Sequence, residues 1–119
     1  MNYTDKKKYP YKEIATEILL RRKAEILGSI PDPANAMRSS LITRHIKCGK
    51  SNCRCASGEG HECSYLSSYY RGNTYLDYVP KSFEEKVTAC LESYEAISAL
   101  LVELSEINLE LFRRRALEI

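Results

Sequence analysis

No stretch of this 119-residue chain is apolar over a long run, and a membrane-spanning helix needs roughly 20 such residues. Nor does an apolar segment follow the charged opening MNYTDKKKYPYKEI, so no secretory leader is expected. Lacking both, the chain reads as soluble and cytoplasmic, with no membrane among its partners, in a compartment that keeps thiols reduced. Histidine is scarce, with two residues, His45 and His61. A nucleophilic cysteine needs a base and a third orienting group, and no paired acids, phosphate loop or oxyanion-type motif stand elsewhere. These gaps point away from an enzyme. Glycine and proline are missing altogether after Pro80, which removes the usual residues at which a helix stops.

Cysteine is plentiful and concentrated. Four of the five cysteines lie in CGKSNCRCASGEGHEC, residues 48–63, together with His61. Thiolates and neutral imidazoles are the preferred ligands of zinc, and structural sites are closed and tetrahedral. Cys48, Cys53 and Cys55 offer three ligands in the pattern C-x4-C-x-C, and either His61 or Cys63 offers the fourth. Gly49, Gly58 and Gly60 let the backbone turn around an ion, and Lys50 and Arg54 would offset the thiolate charge. The C-x-C pair needs a kink, because alternate residues of a flat strand stand too far apart for one ion. A disulfide or redox switch is the competing reading, disfavoured by the odd count and the reducing compartment. His45 reads as an ordinary strand residue, and Cys90 as a small core hydrophobe.

Charge is divided unevenly. Residues 1–54 hold twelve Lys/Arg against five Asp/Glu, a balance of +7, whereas residues 55–119 hold six against eleven, a balance of −5. A basic half ending in a cysteine cluster suits a polyanion such as nucleic acid.

The expected architecture is α+β within one domain: a small zinc-stapled antiparallel sheet of about three strands, flanked by an N-terminal helix and a long coiled-coil-like C-terminal helix. Residues 1–10 form a basic tail. Ile14, Ile18, Leu19, Ile26 and Leu27 recur at helical spacing within an 11–30 helical segment, with Gly28 as a stop. Residues 38–80 form the zinc-binding β-subdomain. LITRHIK at 41–47 reads as a strand, and two β-prone runs around Gly72-Asn73 read as a hairpin. With that turn Tyr70 faces Tyr75 and Tyr69 faces Leu76. Leu66, Tyr70, Tyr75 and Val79 share one face, and Tyr65, Tyr69, Leu76 and Tyr78 the other. Over 81–119, SFEE at 82–85 fits a capping box. Phe83, Val87, Cys90, Tyr94, Ile97, Leu101, Leu104, Asn108 and Leu111 then form a heptad seam. The 11–28 stretch is too short to cover it, so Ile97, Leu101, Leu104, Asn108 and Leu111 are expected to pair with a second chain, giving a homodimer.

CGKSNCRC, followed by His61, a tyrosine-rich hairpin, YVPK at 78–81 and a long terminal helix, resembles an uncharacterised prokaryotic family of small proteins. Its members carry C-G-K-x-x-C-x-C and then H-G-P-Y, and are associated with mobile genetic elements. The resemblance spans roughly residues 38–112 and implies His61 as the fourth zinc ligand. The present chain has Glu62-Cys63-Ser64 in place of G-P-Y, so Cys63 stays an alternative. The expected function is a small, non-enzymatic zinc protein that binds nucleic acid, DNA or RNA, within a mobile-element or phage-related assembly. Arg38, Arg44, Lys47, Lys50, Arg54 and Arg71 would meet phosphates, and surplus tyrosines would stack on unpaired bases. The alternative is a zinc-stapled adaptor, accessory subunit or inhibitor that docks through its C-terminal helix into a larger protein assembly.

Overall fold

A computed structural model describes residues 8–47, 49–52, 57–58 and 60–119. In chain order these form α1 (Thr16–Ser29), β1 (Ser40–Ile46), β2 (His61–Tyr70), β3 (Asn73–Val79) and α2 (Glu84–Arg113). The fold is α+β, with one antiparallel sheet in the order β1-β2-β3. The chain divides into two units, Met1–Pro31 with Ala96–Ile119, and Asp32–Glu95; α2 contributes a segment to each. Among the described residues no helix is long and apolar enough to cross a membrane.

The first unit is built on four fully buried side chains, Leu19 and Ile26 of α1 and Ile107 and Leu111 of α2. Their spacing on α1 is seven residues, two helical turns, so both fall on one face. Ile18 and Leu27, also apolar, are left more than half exposed. Two ionic clamps flank this core. The Arg22 guanidinium donates to both carboxylate oxygens of Glu103, at 2.6 and 2.7 Å, and this bond holds the Glu103 carboxyl below its ordinary range. Arg114 donates to the buried Glu110 at 2.8 Å, to Thr16 Oγ1 at 3.0 Å and to the Tyr11 carbonyl at 2.8 Å. That bond likewise lowers the Glu110 carboxyl. Burial, then the hydrogen bond its hydroxyl donates to Glu106, pushes Tyr11 up.

α1 begins at Thr16 and not near residue 11, and Arg114 bonds to the segment that precedes it. It donates to the carbonyls of Tyr11 and Lys12, bracing the segment before the helix. Residues 9–14 instead form tight turns, closed by Lys12 N–H to the Tyr9 carbonyl and Ile14 N–H to the Tyr11 carbonyl.

In the second unit the hairpin turns at Arg71-Gly72, one residue earlier than the Gly72-Asn73 signal predicts. Arg71 and Gly72 have φ of 51° and 82°, the paired positive values that a type I′ turn requires. Tyr70 therefore pairs with Asn73, Tyr69 with Thr74 and Ser67 with Leu76. The expected pairs Tyr70 with Tyr75 and Tyr69 with Leu76 become diagonal neighbours. The slip moves each partner by two residues, so the division of side chains between faces is unchanged.

The long helix enters through a 3-10 turn, Lys81–Phe83, closed by Phe83 N–H on the Pro80 carbonyl. It ends after Arg113 with no glycine. Arg115 adopts φ 55°, its N–H bonds the Phe112 carbonyl, and the Ala116 N–H bonds the Leu111 carbonyl. That is a Schellman closure with arginine in the left-handed position. Ala116 and Leu117 then fold back against the core.

Candidate metal centre and nucleic-acid interface

The two faces of the sheet differ in charge. One carries Leu41, Thr43, His45, Glu62, Ser64, Leu66, Ser68, Tyr70, Tyr75, Asp77 and Val79, by the observed register. The other carries Ile42, Arg44, Ile46, His61, Cys63, Tyr65, Ser67, Tyr69, Thr74, Leu76 and Tyr78. Both carboxylates of the strands, Glu62 and Asp77, lie on the first face, and none lies on the second. Ser64, Ser68 and Val79, the buried residues of the sheet, are all on the first face. There the Ser64 hydroxyl donates to Glu84 of α2, the Ser68 hydroxyl meets that of Ser39, and Tyr70 stacks on Tyr75 with centroids 4.6 Å apart.

The second face has a ladder of tyrosines. Tyr65 and Tyr78 face each other across β2 and β3 and meet edge to face at 5.8 Å. Tyr69 and Tyr78 are 62% and 61% exposed, so most of each ring is open to a ligand. Arg44 pairs across the sheet with Cys63, placing a cation on the tyrosine face next to a candidate ligand. At the hairpin end a cavity of about 510 Å³ is lined by Ser40, Ser67, Tyr69 and Thr74, with Tyr94 and Glu95 on α2.

The proposed phosphate contacts fall into two groups. Arg38 and Arg71 sit at the hairpin end, Arg38 steadied by its 2.8 Å bond to the Tyr69 carbonyl and Arg71 in the turn itself. Arg44, Lys47 and Lys50 are exposed at the other end. Ten strand residues separate the ends of β2, or about 30 Å at 3.3 Å per residue, so no single phosphate could meet both groups. Arg54 lies outside the described residues.

Cys48, Cys53 and Cys55 also lie outside the described residues. Cys63 is a half-buried free thiol, and the described residues by themselves form no group of three or more metal ligands. What the structure describes is the stem of the loop that carries them. Ile46 pairs with His61, and Arg44 with Cys63. His61 and Cys63 stand two residues apart on one face, about 7 Å between Cα atoms. The residue types of the candidate set suit zinc, three thiolates with an imidazole or a fourth thiolate. His45 lies on the opposite face, 3.7 Å from the Glu62 carboxylate.

Gly60 is the residue that lets the stem close. It has φ +99°, and a Cβ there would stand 2.7 Å from the Ile46 carbonyl carbon and 2.9 Å from the Lys47 nitrogen, all backbone atoms. Gly60→Ala is accordingly expected to cost about 1–3 kcal/mol from the backbone conformation, with the steric clash added. Gly28→Ala, with open space around it, serves as the control. Urea unfolding of the two variants checks this.

Sequence reasoning missed Arg114, Glu110, Arg22 and Glu103; five of the contacts made by Arg22 and Arg114 span 81 or more residues. No local pattern announces such pairs. Cys90, by sequence a core hydrophobe, is half-buried on α2, and its carbonyl accepts the Met37 N–H. Of the expected seam, Leu111 is fully buried and Leu104 packs on the same core, while Leu101 is half exposed.

Residues 16–89, more than half of the chain, match the family model described as Domain of unknown function (DUF6788). No curated protein and no solved structure matches the chain.

Proposed function

The chain belongs to the DUF6788 family, a domain of unknown function, and from the chemistry of its site we propose that it is a non-enzymatic zinc protein that binds single-stranded nucleic acid on the tyrosine face of its sheet. The reading rests on one observation above all. Tyr65, Tyr69 and Tyr78 share a face with Arg44, and no carboxylate of the strands stands on that face. Open aromatic rings stack on unpaired bases without regard to sequence, and cations beside them take the phosphates. A neighbouring carboxylate would repel the same backbone; both strand carboxylates are turned away, and Glu95 of α2 comes near at the hairpin end, beside Tyr69.

In this proposal Cys48, Cys53 and Cys55, with either His61 or Cys63, hold one zinc ion. Its part is structural, fixing the loop that carries Lys50 and Arg54 beside the sheet. Arg44, Lys47, Lys50 and Arg54 engage the phosphates at the loop end, and Arg38 and Arg71 those at the hairpin end. The motif's resemblance implies an assembly of a mobile genetic element as the setting.

Fluorescence anisotropy with labelled single-stranded DNA and RNA tests the reading. Tyr69→Ala and Tyr78→Ala are each expected to weaken binding by about 1–3 kcal/mol, the worth of a stacked base. Tyr75→Ala, on the opposite face, is expected to leave affinity unchanged. Equal effects of all three, or none, would remove the proposed interface.

A further inference from the structure

We propose, resting on the single-strand interface above, that the strand is RNA and that Glu95 recognises it by a ribose 2′-hydroxyl in the cavity at the hairpin end. That cavity, of about 510 Å³, lies wholly within the Asp32–Glu95 unit. Its volume is usual for a small-ligand pocket, about 300–1,000 Å³. Tyr69, one of the open rings of the interface, belongs to its lining. A base stacked on that ring has its own sugar and phosphate beside the cavity.

The lining selects the sugar. Arg38 and Glu95 are its charged residues. Arg38 gives one N–H to the Tyr69 carbonyl at 2.8 Å, and the guanidinium fork has others to offer a phosphate. Glu95 is exposed and, among the described residues, has no hydrogen-bond or ion-pair partner. A free carboxylate at a phosphate site weakens the binding of any polyanion unless it meets a donor, because an ionised carboxylate only accepts. Within a DNA strand the sugar-phosphate backbone has no donor. An RNA backbone has one in every nucleotide, the 2′-hydroxyl. Ser40 and Ser67, paired across β1 and β2, add hydroxyls to the same lining, as does Thr74. Hydroxyls both donate and accept, which suits the remaining oxygens of a ribose.

Fluorescence anisotropy of the zinc-loaded full chain, with labelled oligouridylate and oligodeoxyuridylate of equal length, tests this. The base is the same in both, so its own donors cancel. The wild type is expected to bind the ribo-oligomer about tenfold more tightly, the worth of one hydrogen bond to a charged group. A 2′-fluoro oligomer, which has no donor at that position, is expected to lose the advantage. Glu95→Ala is expected to bring the ratio near one by weakening the ribo-oligomer alone, with the circular dichroism spectrum unchanged. Glu92→Ala, on the same helix but not in the cavity lining, is expected to keep it. Equal wild-type affinity for the ribo- and deoxy-oligomers would overturn the proposal and leave the single-strand interface standing. So would a ratio that survives Glu95→Ala, or a 2′-fluoro oligomer bound as tightly as the ribo-oligomer. Binding of neither oligomer would overturn both.

Discussion

Stripping zinc from the purified protein with a chelator is expected to loosen the loop end of the sheet and to leave the unit around Ile107 folded. The metal would be held by three thiolates from a loop whose stem, Ile46 with His61, is the last pair of the β1–β2 ladder. In small zinc modules metal binding is folding free energy, with apparent values of about 10–16 kcal/mol. That is as large as the whole stability of an ordinary domain, about 5–15 kcal/mol. Cys53→Ser should therefore lose the metal and the order of the sheet together, whereas Cys90→Ala, on α2, should keep both. Hydrogen exchange resolved along the chain reads the outcome: protection lost first over β1 and the start of β2, last over Ile107 and Leu111. His61→Ala and Cys63→Ser separate the two candidate fourth ligands, since one variant should retain zinc and the other should not. Protein that purifies without a stoichiometric thiophilic metal contradicts the metal site.

Ile107→Ala is expected to cost about 2–5 kcal/mol, as other large-to-small changes in a filled core do. Ile107 is fully buried, one of four such side chains joining α1 to the end of α2, so there is little else for the cavity lining to collapse onto. Leu101→Ala, half exposed on the same helix, should cost under about 1 kcal/mol if the exposed fraction scales the loss. Urea denaturation at a concentration where the chain stays in one oligomeric state compares them. The same core should be acid-sensitive. Hydrogen bonds from Arg22 and Arg114 hold the Glu103 and Glu110 carboxyls below their ordinary range. Their stabilisation is complete above the unfolded carboxylate pKa and is lost as pH falls through the lower folded values.

Much of this architecture is legible in the sequence, for local reasons. The three strands, the two helices and the division of tyrosines between sheet faces follow from periodicity and from Gly72. What escaped is where non-local contacts or uncommon backbone took over. Arg71, a residue with no special liking for positive φ, takes the first turn position, which the sequence pattern assigns to Gly72. Arg115 performs a helix stop that glycine usually supplies. The segment before α1 is braced by Arg114, about a hundred residues away, and no local signal could contain that contact. The heptad pattern found the apolar stripe of α2, but not that Leu111 and Leu104 turn to α1 while Leu109 and Phe112 stay open. The candidate site was legible as residue types, Cys48, Cys53, Cys55, His61, Cys63 and the cations. The absence of strand carboxylates from the tyrosine face was not, because it depends on the register of all three strands at once.

The central claim, a nucleic-acid interface on that face, is tested most directly by titrating salt against binding of a labelled single strand to the metal-loaded protein. Each phosphate contact on a single strand contributes about −0.7 to the slope of log affinity against log salt. The wild type should show a steep negative slope. The combined Lys47→Glu, Lys50→Glu and Arg54→Glu variant should lose binding while keeping zinc and its circular dichroism spectrum. Wild-type protein, loaded with zinc, that binds no single-stranded DNA or RNA at low salt would contradict the account.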